Sequence, residues 1–436
     1  MSVPNPRQIL AALFDAAVAA ADPAEIVPRW LPPRPGGRTV VIGAGKAAAA
    51  MALAVEKSWE GPVAGVVVTP YGSSLPCRHI RVVEAAHPVP DEAGLNATRL
   101  LFEAVAGLAA EDLVVALVSG GGSSLLPAPP PGLTLADEQV LNRLLLGSGL
   151  PIAEMNLLRK HVSQVKGGRL AKAAAPAKLV TLVLSDVPGD DPSQVASGPT
   201  LPSEGSLADA LAVIERTKLP LPSALIDHLH SPQAAAPAPD DPVFARNEVH
   251  VIGSSALSLA AAATVCRERF GLDAAILSDA IEGEAAEIGR MHAAIAREIS
   301  LRDQPLAAPI VLLSGGETSV TVRGSGGRGG RNTEFALALA LDLHAVEGVH
   351  ALAADTDGID GNSNAAGAFV DGTTISRLQA AGMDARAMLA CHDSATAFAA
   401  IGDLLVTGAT GTNVNDFRAI LVDRPTPPAS EPDPRW

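Results

Sequence analysis

Short apolar runs, most of them rich in Val, Leu and Ile, recur along the chain at residues 39–42, 63–68, 113–118, 179–184, 249–252, 274–277, 310–313, 349–353 and 404–406. Each ends in a turn of small residues and leads into a stretch with helical periodicity. Apolar runs without the alternation of a half-exposed strand are what a strand buried on both faces requires, so the pattern predicts an α/β protein with a mostly parallel sheet covered by helices. In such sheets ligands collect in the loops at the carboxyl ends of the strands. Those loops are where the chemistry is sought.

At 436 residues the chain exceeds a single ordinary core, and two domains are expected. The aperiodic, proline-rich segment 231–242 is the best boundary, giving a first domain at 1–240, a second at 243–423 and a loose tail at 424–436. A second proline cluster, residues 127–132, reads as a surface excursion within the first domain. Apolar residues make up 48% and charged residues 18%, which excludes a disordered polymer. No apolar run reaches the ~18 residues of a membrane span, and the start lacks a secretion signal, so a cytoplasmic protein with no membrane partner is expected. A net charge of −15 counts against a nucleic-acid partner and requires any anion site to be local. Cys77, Cys266 and Cys391 are too scattered for a zinc knuckle or a disulfide framework. The expected partners are therefore small molecules, with the chain a monomer or homodimer.

Several loops carry candidate chemistry. Gly43-Ala44-Gly45-Lys46-Ala47 follows a predicted strand and opens an alanine-rich helix; Lys46, a cation in a first helical turn, opposes the helix dipole unless an anion compensates. The match to a dinucleotide fingerprint is short, and the ribose-binding carboxylate expected some 20 residues on is replaced by Thr69-Pro70. Ser119-Gly120-Gly121-Gly122-Ser123-Ser124 can present backbone and hydroxyl donors to phosphate oxygens, or simply make a tight turn. Asn156, Arg159, Lys160, Ser163 and Lys166 recur at helical spacing, as a donor stripe or as the wet side of a helix. Asp186 and Asp190, after the run at 179–184, are candidate Mg²⁺ ligands, with Asp186 also placed to accept a substrate hydroxyl's hydrogen.

Farther on, Glu317 precedes a loop holding Arg323, Gly327, Arg328, Gly329, Gly330 and Arg331, with Asn332 next and an apolar helix after it. Glycines free the backbone N–H groups, arginine adds a fork of donors, and the helix N-terminus points at the same anion. Asp355-Thr356-Asp357-Gly358-Ile359-Asp360 looks like a calcium loop, but its twelfth position is Ala366 rather than glutamate, which excludes an EF-hand. No zinc-hydrolase histidine spacing and no Gly-x-Ser-x-Gly elbow occurs.

Taken in order, Gly43–Ala47, His87-Pro-Val-Pro-Asp91, Ser119–Ser124, Asn156–Arg169, Leu184–Asp190, Ser314–Thr318, Gly327–Asn332, Ala354–Gly361 and Thr407–Asn413 resemble the glycerate 2-kinase family of the MOFRL type, whose members are often mislabelled hydroxypyruvate reductase. The resemblance spans nearly the whole chain. It implies ATP-dependent phosphorylation of D-glycerate at the 2-hydroxyl with Mg²⁺, a Rossmann-like first domain, a smaller α/β second domain and an active site in the cleft between them. On that basis Lys46, Arg331 and Asp186 are the expected catalytic residues, with Lys46 and Arg331 meeting the transferred phosphoryl from opposite domains. Residues Ser119–Ser124, Asn156, Arg159 and Lys160 are expected to hold glycerate. Gly45, Glu317, Gly327, Arg328, Gly329, Gly330, Asn332, Thr356, Asp357 and Gly358 are expected to hold the nucleotide. An NAD(P)H-dependent hydroxypyruvate reductase and a non-catalytic sugar-phosphate binding protein are the alternatives.

Overall fold

The computed structural model describes residues 5–322, 324 and 326–424; the expected loose tail, beyond residue 424, and Arg323 lie outside the described residues. The chain divides into two compact units. One is Asp22–Ser254, and the other joins the described residues up to Ala21 with those from Ser255 onward.

In the first unit β1 (Thr39–Ala44), β2 (Ala64–Pro70), β3 (Ile80–Ala85), β4 (Leu113–Ser119), β5 (Lys178–Leu184) and β6 (Glu248–Gly253) form one all-parallel sheet in the order β3-β2-β1-β4-β5-β6. Every residue of β1 and β4 is buried, as their unbroken apolar runs require of central parallel strands. The strand order reverses between β1 and β4, whose ends are level because Ala44 pairs with Val118. The loops leaving these two strands consequently start side by side, the switch-point geometry at which α/β sheets bind ligands.

The second unit has β7 (Asp273–Ser278), β8 (Gly283–Glu284), β9 (Ile310–Gly316), β10 (Thr318–Ser319), β11 (Val349–Asp355), β12 (Gly367–Asp371), β13 (Leu404–Leu405) and β14 (Asp416–Val422). Its main sheet runs β13-β12-β11-β14-β9-β7, with only β7 and β9 parallel, and β8 pairs with β10 apart from it. Alternation along the central β14 feeds two cores. Phe417, Ala419 and Leu421 pack with Leu10, Leu13 and Phe14 of the helix Pro6–Ala19, and Ile420 and Val422 pack with the helices Ala285–Arg302 and Arg331–Asp342. Burying a side chain such as Phe417 contributes roughly 1.5–3 kcal/mol.

The division of the chain differs from the expected boundary at 240–243. The proline-rich segment is part of the first unit, with Ala234 buried in a 3₁₀ turn, and it leads into β6, which completes the first sheet. The N-terminal helix belongs to the second unit because its apolar stripe lies against the helix Ser255–Phe270 and the second sheet. Composition along the chain carries no sign of either long-range pairing. Among the described residues no helix is long and apolar enough to cross a membrane.

Candidate active site

In the first unit the loops after β1, β4 and β5 converge. The N–H groups of Gly45, Lys46 and Ala47 donate to Val68 O at 3.0 Å, Gly120 O at 2.8 Å and Ser119 Oγ at 3.1 Å. The N–H groups of Lys46 and Ala47 are thus taken up in joining the two loops and that of Gly45 in tying the first loop to β2, so the backbone donor of Gly45, expected to hold the nucleotide, is already satisfied within the chain. What the loop offers outward is the exposed Lys46 side chain.

Gly120 and Gly121 let other side chains close in. A Cβ on Gly120 would fall 1.8 Å from Asp186 Oδ2, and one on Gly121 would fall 2.9 Å from the His87 ring and 3.4 Å from Lys46 Cγ. Gly121 also holds a left-handed φ of 78°, which favours glycine. Lys46, His87, Gly120–Gly122 and Asp186 therefore share one small region. Its partial enclosure and the neighbouring Lys46 charge lower the pKa of His87. The motif around His87 carries no signal of its role in the sequence, and only the fold brings its ring to this loop.

The serines of the loop turn inward rather than outward. Ser123 Oγ lies 2.9 Å from Ser197 Oγ, Ser197 Oγ donates to Asn156 Oδ1 at 3.0 Å, and Ser124 Oγ donates to Gly121 O at 3.1 Å. Arg159 joins this network through Asn156 Oδ1 at 3.1 Å and Asn142 Oδ1 at 3.0 Å. The predicted donor stripe on the helix Ile152–His161 is thus half realised. Asn156, Arg159 and the buried Lys160 stay together, whereas Lys166 leaves it for a buried ion pair with Glu138 at 2.8 Å. Burial lowers the pKa of Arg159 despite Glu138, and that of Lys160 despite Asp191 and Glu204. Two cations held short of full compensation form a region that favours an incoming anion.

Asp190 shares the turn of Asp186, with a left-handed φ of 54° and its N–H on Val187 O at 3.1 Å. No group of three or more His, Cys, Asp or Glu side chains among the described residues converges on a metal-sized site. The expected Asp186 and Asp190 ligands thus make no closed cage.

The second unit holds a different constellation. Arg331 opens the helix Arg331–Asp342 and donates Nε to Asp416 at 2.5 Å, Nη2 to Asp355 at 2.8 Å and Nη1 to Glu317 at 3.1 Å. Burial works against its charge, but Asp416, Asp355 and Glu317 outweigh that and hold its pKa above the ordinary arginine value. Asp416 also accepts Asn332 Nδ2 at 2.8 Å, and the N–H and Oγ1 of Thr318, each at 3.0 Å. Behind it stands the fully buried Arg418, which pairs with Asp416, donates to Gly315 O at 3.2 Å and lies over the Phe335 ring. Burial alone would raise the pKa of Asp416; Arg418 and Arg331 bring it below the ordinary carboxylate range. For Asp355 burial wins over Arg331, and its pKa is pushed up.

The glycine-arginine loop is not the open anion cradle expected from its composition. Gly327 N–H donates to Cys391 O, Arg328 N–H to Asp393 Oδ1, Gly329 N–H to Asn362 Oδ1 and Gly330 N–H to Thr333 Oγ1, at 2.8–3.1 Å. The Arg328 guanidinium donates to Asn364. The helix N-terminus is already capped: Asp360 accepts the N–H of Asn332 at 2.9 Å and of Thr333 at 2.8 Å. A carboxylate of the chain thus occupies the place assigned to a bound anion, as the helix dipole favours. Thr356, also expected to hold nucleotide, donates its hydroxyl to Asn415 O at 2.7 Å, and Gly358 closes a turn on Asp355 O at 3.1 Å.

Asp416 and Arg418 carry no signal of their roles in the local sequence; for Asp360 the Asp/Gly turn marks the residue but not its capping role. The run at 417–422 was hidden as a strand by Arg418, a charge inside an otherwise apolar segment.

Residues 9–230 match the family described as Domain of unknown function (DUF4147), and residues 310–416 match the MOFRL family. A protein of Agrobacterium vitis that goes under the name hydroxypyruvate reductase is 52% identical over 424 residues, covering 95% of this chain and 94% of its own length. The D-glycerate 2-kinase of Thermotoga maritima is 42% identical, covering 92% of this chain and 94% of its own. The crystal structure of glycerate kinase from Thermotoga maritima matches with a TM-score of 0.86 at 39% identity, over 95% of this chain and 99% of that one.

Proposed function

The chain belongs to the glycerate 2-kinase family of the MOFRL type, and from that premise we propose that it transfers the γ-phosphoryl of ATP to the 2-hydroxyl of D-glycerate, giving 2-phosphoglycerate and ADP. The observation that carries the reading is the convergence of Lys46, Gly120–Gly122, Asp186 and the Asn156–Arg159 network at the switch point of a parallel sheet.

Phosphoryl transfer needs positioning and positive charge more than a strong base. In this reading Arg159 and Lys160 attract the glycerate carboxylate, since binding it restores interactions that their burial removed. Asp186, held against Gly120, accepts the hydrogen of the 2-hydroxyl. The 2-hydroxyl oxygen forms the new bond to phosphorus, the bond from phosphorus to the bridging oxygen of ADP breaks, and the hydroxyl proton leaves toward Asp186 or water. Lys46 is the cation this reading assigns to the transferred phosphoryl and Arg331 the cation it assigns to the nucleotide phosphates, with Asp357 as a polar neighbour just beyond Asp355 at the end of β11. Mg²⁺ would enter with ATP and Asp186 would be the carboxylate that holds it, since that ion keeps several waters and takes only one or two carboxylates. When bound it would spread the phosphate charge.

The reductase name of one relative motivates a second assay, but β2 ends in Thr69-Pro70, with no carboxylate for a nicotinamide ribose. The test is direct: incubate the purified protein with D-glycerate, ATP and Mg²⁺ and identify the product by ³¹P NMR, with NADH and hydroxypyruvate in parallel. A resonance of 2-phosphoglycerate is expected. NADH oxidation without phosphorylated product would overturn the proposal.

A further inference from the structure

The three partners of Arg331 are graded in exposure. Asp416 is 0% exposed, Asp355 7% and Glu317 49%, while the arginine itself is 23% exposed. The two buried carboxylates make the shorter bonds, at 2.5 and 2.8 Å, and the exposed one makes the longest, at 3.1 Å. One edge of the guanidinium is anchored in the protein, and its outer Nη1 is held by a side chain standing in water.

The backbone around Glu317 is pinned on both sides. Gly315 O accepts from Ile281 N–H at 3.1 Å and from Arg418, and Thr318 is tied to Asp416 by its N–H and its hydroxyl. Glu317 can therefore leave Arg331 by rotating its side chain alone. Exposed pairs of this kind contribute little to stability, whereas breaking a buried pair leaves an uncompensated charge and is costly. An arriving anion would thus displace Glu317 and leave Asp416 and Asp355 in place.

We infer that Glu317 is a stand-in anion: its carboxylate holds Nη1 of Arg331 until a phosphate oxygen of the nucleotide exchanges with it, while Asp416 and Asp355 act as positioning residues that keep the guanidinium aimed. The inference rests on the kinase reading and deepens it. It assigns to the glutamate the opposite of a nucleotide-binding role, since it competes with the nucleotide for the same nitrogen. The occupant is a polyphosphate rather than the glycerate carboxylate, because Arg159 and Lys160 already supply the cations assigned to that group.

The test is titration calorimetry on the full chain with inorganic triphosphate, ATP and D-glycerate, comparing wild type, Glu317→Gln, Arg331→Lys and the double variant. Glu317→Gln is expected to bind triphosphate and ATP about three- to tenfold tighter, from release of an exposed pair and loss of one negative charge. Its KM for ATP should fall by the same factor, with the KM for D-glycerate unmoved. In the Arg331→Lys background the gain should vanish, because lysine has no fork to be held and vacated. Unchanged or weaker triphosphate binding in Glu317→Gln overturns the inference. So does a gain that persists with Lys at position 331, a gain that appears for glycerate instead, or a failure of every version to bind triphosphate. If triphosphate binding behaves as expected but D-glycerate is never phosphorylated, the kinase reading falls and the exchange at Arg331 stands.

Discussion

Gly120→Ala is the sharpest probe of the candidate site in the first unit. The added Cβ would lie 1.8 Å from Asp186 Oδ2 and 2.3 Å from Cγ, where contacts under 3.0 Å do not persist and ordinary contact starts at 3.4 Å. The carboxylate must retreat by about 1.2–1.6 Å, and a displacement on the order of 1 Å in a positioned group costs roughly 10²-fold in rate. The overpacking should also lower stability by about 1–3 kcal/mol. Gly36→Ala serves as the control, since nothing lies within 4 Å of its added Cβ. Turnover of D-glycerate and urea denaturation are measured for both variants, and for Gly120→Ala combined with Asp186→Ala. The double variant should regain stability, because the clashing oxygens are gone, yet stay slow. A folded Gly120→Ala protein within about threefold of wild-type turnover would refute the assignment of Asp186 to the reaction.

Lys46→Ala should lower kcat by about 10²-fold or more in the same assay, the scale of one lost charge-stabilising donor, and near-normal turnover would remove it from the site. Lys166→Met strands Glu138, a carboxylate only 5% exposed, and should cost about 3–5 kcal/mol in urea denaturation; adding Glu138→Leu should return most of it. His292 is buried with Nδ1 at 2.8 Å from Ile288 O and Nε2 at 3.0 Å from Ser314 Oγ, and burial pushes its pKa down to about 4. The unfolded chain therefore takes up a proton at this position first. The neutral ring's contribution to stability is intact above about pH 6.5 and is lost as pH falls toward about 4, roughly 3 kcal/mol in all. His292→Gln should flatten stability against pH in that window, and an unchanged slope would show that other groups carry it.

Local features were legible where a short stretch of chain carries its own signal. Nine strands announced themselves by predominantly apolar runs, and the loops bearing Lys46, Ser119–Ser124 and Asp186 followed from the turns that end three of them. The stripe at Asn156, Arg159 and Lys160 was visible because helical periodicity alone places those residues together. The strand β3 was not read, since its polar positions Arg81 and Glu84 break the apolar run.

The α/β class, the loop inventory and the helical stripe are legible along the chain, because they depend on residues near one another in sequence. Which donors remain available follows from long-range packing. A glycine-arginine loop looks the same whether its N–H groups face a ligand or the acceptors Asp393 and Asn362, and a helix start looks the same before Asp360 reaches it. Arg331, at a helix start, reads as an anion-seeking fork until Asp355 and Asp416 arrive from two strands of the sheet and anchor two of its nitrogens. The physical reason is that a buried charge needs a partner, and the partner is chosen by strand pairing across the sheet rather than by the neighbours of the residue in sequence.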